Sequence, residues 1–278
     1  MRASKCLCPV CQNSTVKISG EIQILNRFSA KHVLCSSCGQ EWFENAPFWL
    51  KEAYSSPIAN TDTGIVARSL SFYRFIYTYL VLTNRFGPIL DWGSGSGLLV
   101  RLLRDSGYPT FGFEPFTEPV LADGYTYKAE EALACMAPFR MVLAIEVLEH
   151  LVDPRKFMTS VLAMTDTLIF TTELLDGNKD GQNWWYYSFE TGQHINFYTR
   201  ISLQCLAADF GCMYFSCGNN GPHIFTRIPW DMTAFKLVAG SKRHLLLYPL
   251  IRLVASLRGV RSLAMSDHLA AKNSLNAS

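Results

Sequence analysis

Apolar positions along this chain change period several times, and each change marks an element. Over 64–85, Val66, Leu70, Tyr73, Ile76, Tyr77 and Leu80 recur at helical spacing, and Gly87-Pro88 ends the run. Ile89-Leu90 closes a short buried strand, and Leu98-Leu99-Val100-Arg101-Leu102-Leu103 opens a helix that reaches Ser106-Gly107. Compact apolar runs follow at 110–113, 125–129, 141–145 and 167–172, with helices predicted over 147–162 and 202–210. Residues 213–216 and 223–228 are predicted to pair antiparallel around the Gly218-Asn219-Asn220-Gly221 turn. Strands alternating with helices predict an α/β fold with a doubly wound, mostly parallel sheet.

Residues 1–46 read differently, as short β-like runs carrying five of the nine cysteines: Cys6, Cys8, Cys11, Cys35 and Cys38. Cys8-Pro9-Val10-Cys11 and Cys35-Ser36-Ser37-Cys38 are two CxxC knuckles, and Gly39 suits the tight turn after the second. Two such knuckles complete a tetrahedral thiolate set for Zn2+ at Cys8, Cys11, Cys35 and Cys38. A set closed by four thiolates has no open coordination position, so the ion would stabilise a small module rather than catalyse. Cys6 is read as a bystander or an alternative to Cys8, and a disulfide pair is disfavoured without an export signal. The segment resembles the zinc ribbons at the head of many enzymes and nucleic-acid factors. Cys135, Cys205, Cys212 and Cys217 are expected to be small buried thiols.

At 278 residues, with 49% hydrophobic and 17% charged, the chain has room for one large domain and a small module. A net charge of +2 gives no ground for nucleic-acid binding by itself. Residues 230–278 hold seven Lys/Arg against Asp231 and Asp267, so they carry 7 − 2 = +5 and the rest 2 − 5 = −3. Neither a signal peptide nor a spanning helix is apparent, so a cytoplasmic protein with reduced thiols is expected. The expected organisation is a ribbon-like module at 1–46, a linker at 47–63, the α/β domain at 64–229 and a basic, apolar helical tail at 230–278. In that tail Leu246, Pro249, Leu250, Leu253, Val254 and Leu257 form an apolar stripe beside Arg252, Arg258 and Arg261. The stripe is expected to pack on its own domain or in a homodimer, with peripheral contact to an anionic membrane as the other reading. Residues 266–278 are expected to fray.

The chemistry centres on Asp91-Trp92-Gly93-Ser94-Gly95-Ser96-Gly97, between the strand and the helix. Glycines at this spacing let the backbone turn sharply and lie against a ligand. The acid argues against a pyrophosphate and for a cationic or amino-bearing ligand. No Gly-Lys-Ser/Thr follows, which excludes a P-loop.

Asp91-x-Gly93-x-Gly95-x-Gly97 resembles the first motif of class I S-adenosylmethionine-dependent methyltransferases. Glu114, 17 residues after Gly97, matches the family's acid that grips both ribose hydroxyls. Ala144-Ile145-Glu146-Val147-Leu148-Glu149-His150-Leu151-Val152-Asp153-Pro154 resembles the stretch after the fourth strand of the type 11, 12 or 23 methyltransferase domains. The likeness covers about residues 64–228 and implies a Rossmann-like, seven-stranded sheet. It implies a donor-binding set of Asp91, Gly93, Ser94, Gly95, Gly97, Glu114, Pro115, Ile145 and Glu146, with Glu130 or Glu131 near adenine. The chain departs from the family where Arg140 rather than an aspartate follows Phe139.

Methyl transfer from a sulfonium mainly needs the acceptor positioned and water excluded. An oxygen or nitrogen acceptor also calls for a base, for which His150 and His194 are candidates. Glu146, four residues before His150, is expected to share its helix face and joins the catalytic candidates, a plain surface pair being the alternative. Trp184-Trp185-Tyr186-Tyr187 and Gly192-Gln193-His194-Ile195-Asn196-Phe197-Tyr198 interleave aromatics with polar side chains, as the similar subgroup does. Trp185, Tyr187, Gln193 and His194 are the expected acceptor wall, suited to a small-molecule or glycan acceptor. A methyltransferase acting on nucleic acid or protein, with the ribbon as reader, is the second reading, and a non-catalytic binding module the third.

Overall fold

The computed structural model describes residues 7–44, 46–55, 61–178, 180–239 and 243–276. The chain opens with β1 (Val16–Ile24), β2 (Phe28–Cys35), β3 (Glu41–Phe43), α1 (Pro47–Ala53) and α2 (Ile65–Thr83). Then come β4 (Ile89–Trp92), α3 (Leu98–Asp105), β5 (Thr110–Phe113), β6 (Thr126–Tyr127), α4 (Glu131–Ala134) and β7 (Met141–Ile145). They are followed by α5 (Pro154–Met164), β8 (Thr167–Thr171), β9 (Asn196–Phe197), α6 (Arg200–Asp209), β10 (Met213–Ser216) and β11 (His223–Thr226). The chain closes with α7 (Met232–Ala239), α8 (Arg243–Leu257) and α9 (Ala264–Leu275). Among the described residues no helix is long and apolar enough to cross a membrane.

The larger sheet has seven strands in the order β10-β11-β8-β7-β4-β5-β6. β4 pairs parallel with β5 and β7, and β5 with β6, while β11 runs antiparallel to both its neighbours, β10 and β8. This is the expected doubly wound, mostly parallel, Rossmann-like sheet. All four residues of β4 are buried, as a parallel strand covered on both faces requires. Strand order reverses beside β4, and the loop leaving its carboxyl end is where open α/β sheets bind ligands.

The chain divides into two compact units, one of residues 1–59, 144–163 and 167–227, the other of 60–143, 164–166 and 228–278. In the first, β1, β2, β3 and β9 form a four-stranded antiparallel sheet. β3 joins β9 through Glu41↔Phe197 and Trp42↔Asn196. A core of Ile24, Phe43, Trp49, Trp184, Tyr187 and Phe197 packs around it. Thr199 caps α6 in a reciprocal box with Ser202, and its hydroxyl also donates to the Cys38 carbonyl at 2.6 Å.

The same unit corrects the predicted helix at 147–162. Glu146 sits at φ +52°, Leu148–His150 make one 3-10 turn, and α5 starts only at Pro154. Asp153 causes this break: its carboxylate accepts from the Arg155 and Lys156 amides, and proline suits the first helical position. Glu146 and His150 therefore do not share a helix face.

In the second unit α2 packs on α3, α7 and α8, and α3 packs on β5. Tyr73 bonds Ser106 at 2.6 Å and Tyr248 at 2.8 Å, which sets the rotation of α8. Ile251 and Ala255 are buried, whereas Leu250, Leu253 and Leu257 are exposed. The expected apolar stripe is thus rotated away from the packed face; the Leu246 side chain is outside the described ones. Of residues 266–278, expected to fray, those up to Leu275 belong to α9, pinned where Arg104 grips Asp267 through two bonds of 2.6 and 2.7 Å. Arg101 adds a third at 2.7 Å, and Asp267 is only 6% exposed.

Candidate functional site

Glycine chemistry shapes the loop after β4. Gly97 stands at φ +82°, and a Cβ there would lie 2.5 Å from that of Ala122, so only glycine lets the chain enter α3 so close to that turn. Gly95, at φ +53°, has nothing within 4 Å of an added Cβ: its backbone borders open space. Its N–H donates to Glu114 Oε2 at 2.8 Å, while Glu114 Oε1 accepts from the Phe116 and Thr117 amides at 2.8 and 3.0 Å. Glu114 is 5% exposed and held in one orientation. A carboxylate offers about four lone-pair sites, so a diol reaching Glu114 would share one of these loop bonds.

Asp91 is 3% exposed, and burial together with the Glu114 charge pushes its carboxyl up to about 8. A positive group beside it would reverse that shift. An open glycine backbone, a fixed carboxylate and a buried acid wanting a cation fit S-adenosylmethionine. Gly93 (φ +76°) is exposed at the loop's crest. Ser94 turns inward, its Oγ 2.5 Å from the site of a Cβ on Gly112. Pro115 is exposed beside Glu114, and Glu130, half-buried, is the N-cap residue just before α4.

In the other unit the Thr171 hydroxyl accepts from the Glu146 amide at 3.0 Å and donates to its Oε1 at 2.6 Å. That bond ring holds Glu146 in its left-handed backbone, next to the half-buried Ile145. The His150 and His194 rings meet edge to face, centroids 4.8 Å apart, with Tyr186 4.6 Å from His194. Glu149, fully buried, accepts from the Tyr186 hydroxyl at 2.7 Å. Burial and then the charges of Glu146 and Glu149 hold the Tyr186 phenol well above its ordinary value, so it stays a donor.

The predicted acceptor wall divides. Trp185 is 68% exposed, and His194 is half-buried. Tyr187 is a core residue whose hydroxyl donates to Glu41 Oε2 at 2.7 Å, where His32 also bonds at 2.8 Å. Burial raises the Glu41 carboxyl, but those two bonds outweigh it and hold it low. Gln193 is buried, donating to the Ala53 carbonyl at 2.9 Å, and its own carbonyl receives His150. Tyr187 and Gln193 are thereby corrected from wall residues to supports. Glu149 was missed. Its signal was an acid between Leu148 and His150 in an otherwise apolar stretch.

Cys8, Cys11, Cys35 and Cys38 converge, with Sγ–Sγ distances of 3.7 Å (Cys8–Cys38) and 3.6 Å (Cys11–Cys35). A tetrahedron with Zn–S bonds of ~2.3 Å has edges of about 3.8 Å, so the four sulfurs fit such an ion. The Cys38 bond lowers the Cys8 thiol to about 5; that same bond, with burial, drives Cys38 up, and burial raises Cys11 to about 11. Without a cation Cys8, Cys11 and Cys38 do not ionise together. Cys6 lies outside the described residues. Of the four cysteines expected to be buried, Cys212 is, Cys205 and Cys217 are half-buried and Cys135 is exposed.

No curated protein matches this chain. Among solved structures, it is similar to an S-adenosylmethionine-dependent methyltransferase of Thermotoga maritima, described as a possible histamine N-methyltransferase. That pair is 14% identical over 60% of this chain and 97% of the other, with a TM-score of 0.43. The 1,6-didemethyltoxoflavin-N1-methyltransferase of Burkholderia thailandensis is 14% identical over 65% and 85%, with a TM-score of 0.45. The plantazolicin methyltransferase BpumL is 13% identical over 73% and 88%, with a TM-score of 0.49. A family model described as a methyltransferase domain matches residues 67–216. That is more than half of the 278 residues, and the chain belongs to the methyltransferase-domain family.

Proposed function

We propose that this chain transfers a methyl group from S-adenosylmethionine to a small or saccharide-like acceptor. The observation that carries the donor assignment is the 2.8 Å bond from the Gly95 amide to Glu114, beside open space, with the Glu114 charge acting on the buried Asp91. In this reading Gly93, Gly95 and Gly97 lie against the donor, Glu114 holds its ribose, and Asp91 answers its positive charge. S-adenosylmethionine supplies an already activated methyl, so the chain's part is to bind, orient and exclude water. The exposed Trp185 ring supports a hydroxyl-rich acceptor, because a sugar face stacks on such a surface. The four cysteines hold a structural zinc ion in this reading.

Calorimetric titration with S-adenosylmethionine tests the donor assignment. Wild type is expected to bind, and Glu114→Ala to weaken binding at least ~10-fold, about 1.4 kcal/mol. Absence of binding by the folded wild type, or unchanged affinity in both Glu114→Ala and Gly95→Val, removes it.

A further inference from the structure

We propose that Glu149, His150 and His194 bind a divalent transition-metal ion, at a site separate from the four cysteines. One ligand atom from each of the three residues lies within 4.8 Å of the others. An ion with bonds of ~2.0–2.2 Å would draw such atoms to about 3–3.5 Å, a small contraction for side chains on two packed segments.

Each of the three is already aimed by a second partner. His150 Nδ1 lies 3.0 Å from the Gln193 carbonyl, and His194 Nδ1 lies 2.6 Å from the Tyr186 carbonyl. A carbonyl only accepts, so each Nδ1 carries a hydrogen, and Nε2 is the ring nitrogen left to ligate an ion. The Tyr186 hydroxyl fixes Glu149 Oε1, so Tyr186 orients one imidazole and the carboxylate together. Imidazoles tied through their other nitrogen, and a carboxylate held by a hydroxyl, are how proteins prepare metal ligands. The backbone is braced as well: the Ile195 amide donates to the Glu149 carbonyl at 2.8 Å, and Asn196 Nδ2 to the Leu151 carbonyl at 2.6 Å.

Two imidazoles thus converge on a fully buried carboxylate, a donor set that a cation can bridge. Two imidazoles and one carboxylate suit Mn2+, Fe2+, Co2+ or Zn2+ better than Mg2+ or Ca2+, which seek oxygen. Three protein ligands leave positions open, and both histidines are half-exposed, so water or a hydroxyl-bearing ligand can reach the ion. A bound hydroxyl there becomes more acidic without any side chain acting as base. The proposal goes beyond the donor assignment and does not depend on it.

The test uses the full chain loaded with zinc, so that the thiolates are occupied, and titrates it with Mn2+ while electron paramagnetic resonance reads the free ion. Mn2+ competes poorly for thiolates. Co2+, followed by its visible absorption, repeats the measurement with a softer ion. About one further ion per chain is expected, weakened roughly 10–100-fold in Glu149→Gln and in His194→Gln. His150→Gln replaces either variant that fails to fold. The proposal is overturned if the folded wild type takes up neither ion, or if affinity is unchanged in the folded variants. No step needs methyl donor or acceptor, so this outcome is separate from that of the donor titration.

Discussion

At the residue scale, Asp91 carries the sharpest electrostatic consequence. Its raised pKa means that the folded chain keeps a proton that the unfolded chain has released. Its contribution to stability is therefore most favourable below about pH 4 and is lost as pH rises toward 8. Asp91→Asn has no such charge to bury, so the variant should gain on wild type across that interval, by several degrees in Tm at the upper end (~1 kcal/mol is about 2–4 °C at this size). The same substitution should weaken S-adenosylmethionine, because the amide cannot answer a positive charge. Thermal melts of both proteins from pH 5 to 8.5 read the first effect; parallel melts without a pH-dependent gap would contradict a raised Asp91 carboxyl.

At the scale of elements, α9 and α6 show how much rests on a few polar contacts. Burial alone would raise the Asp267 carboxyl, but the Arg104 and Arg101 bonds outweigh it and hold it down to about 2. That stabilisation is present above pH ~4 and is lost as pH falls through about 2. Asp267→Asn leaves Arg104 buried without its counter-charge, a loss of ~3–5 kcal/mol for a buried pair. Hydrogen exchange should quicken first over Ala264–Leu275, and unchanged protection there would contradict the pinning. Thr199→Ala should cost about 1 kcal/mol from the cap alone, and more because the Cys38 carbonyl also loses its donor; urea melts measure it.

These elements also mark what the sequence made legible. The strand, loop and helix at 89–105 were readable because three alternating glycines and a helical apolar run lie next to one another. α9 was not, because the partner of Asp267 is 163 positions away. The helix predicted at 147–162 failed at Glu146, whose φ of +52° depends on a hydroxyl from Thr171. Tyr187 looked like a wall residue because an aromatic beside polar loops reads the same whether it faces solvent or Glu41. Local pattern reports local structure; the supports of this candidate site come from distant segments.

At the scale of the whole molecule, the ion at the four cysteines is expected to be a folding element. Zinc analysis in reducing buffer should give about one equivalent, apart from any ion at the histidines. Chelation or Cys35→Ser should lower Tm and open 7–55 to proteases, since a sheet of this size has little core of its own. Full retention of Tm after zinc removal would contradict that role.

The pairing of β3 with β9 bears on how the chain is made. Glu41 leaves the ribosome 197 − 41 = 156 residues before Phe197, its neighbour in the finished sheet. At roughly 5–20 residues per second, the nascent β1–β3 segment waits about 8–30 s for its last strand. During that interval its buried face has no cover, and early capture of an ion by the cysteine knuckles is the means at hand for holding it. Zinc-starved synthesis should therefore harm the yield of folded protein more than zinc removal harms the finished molecule.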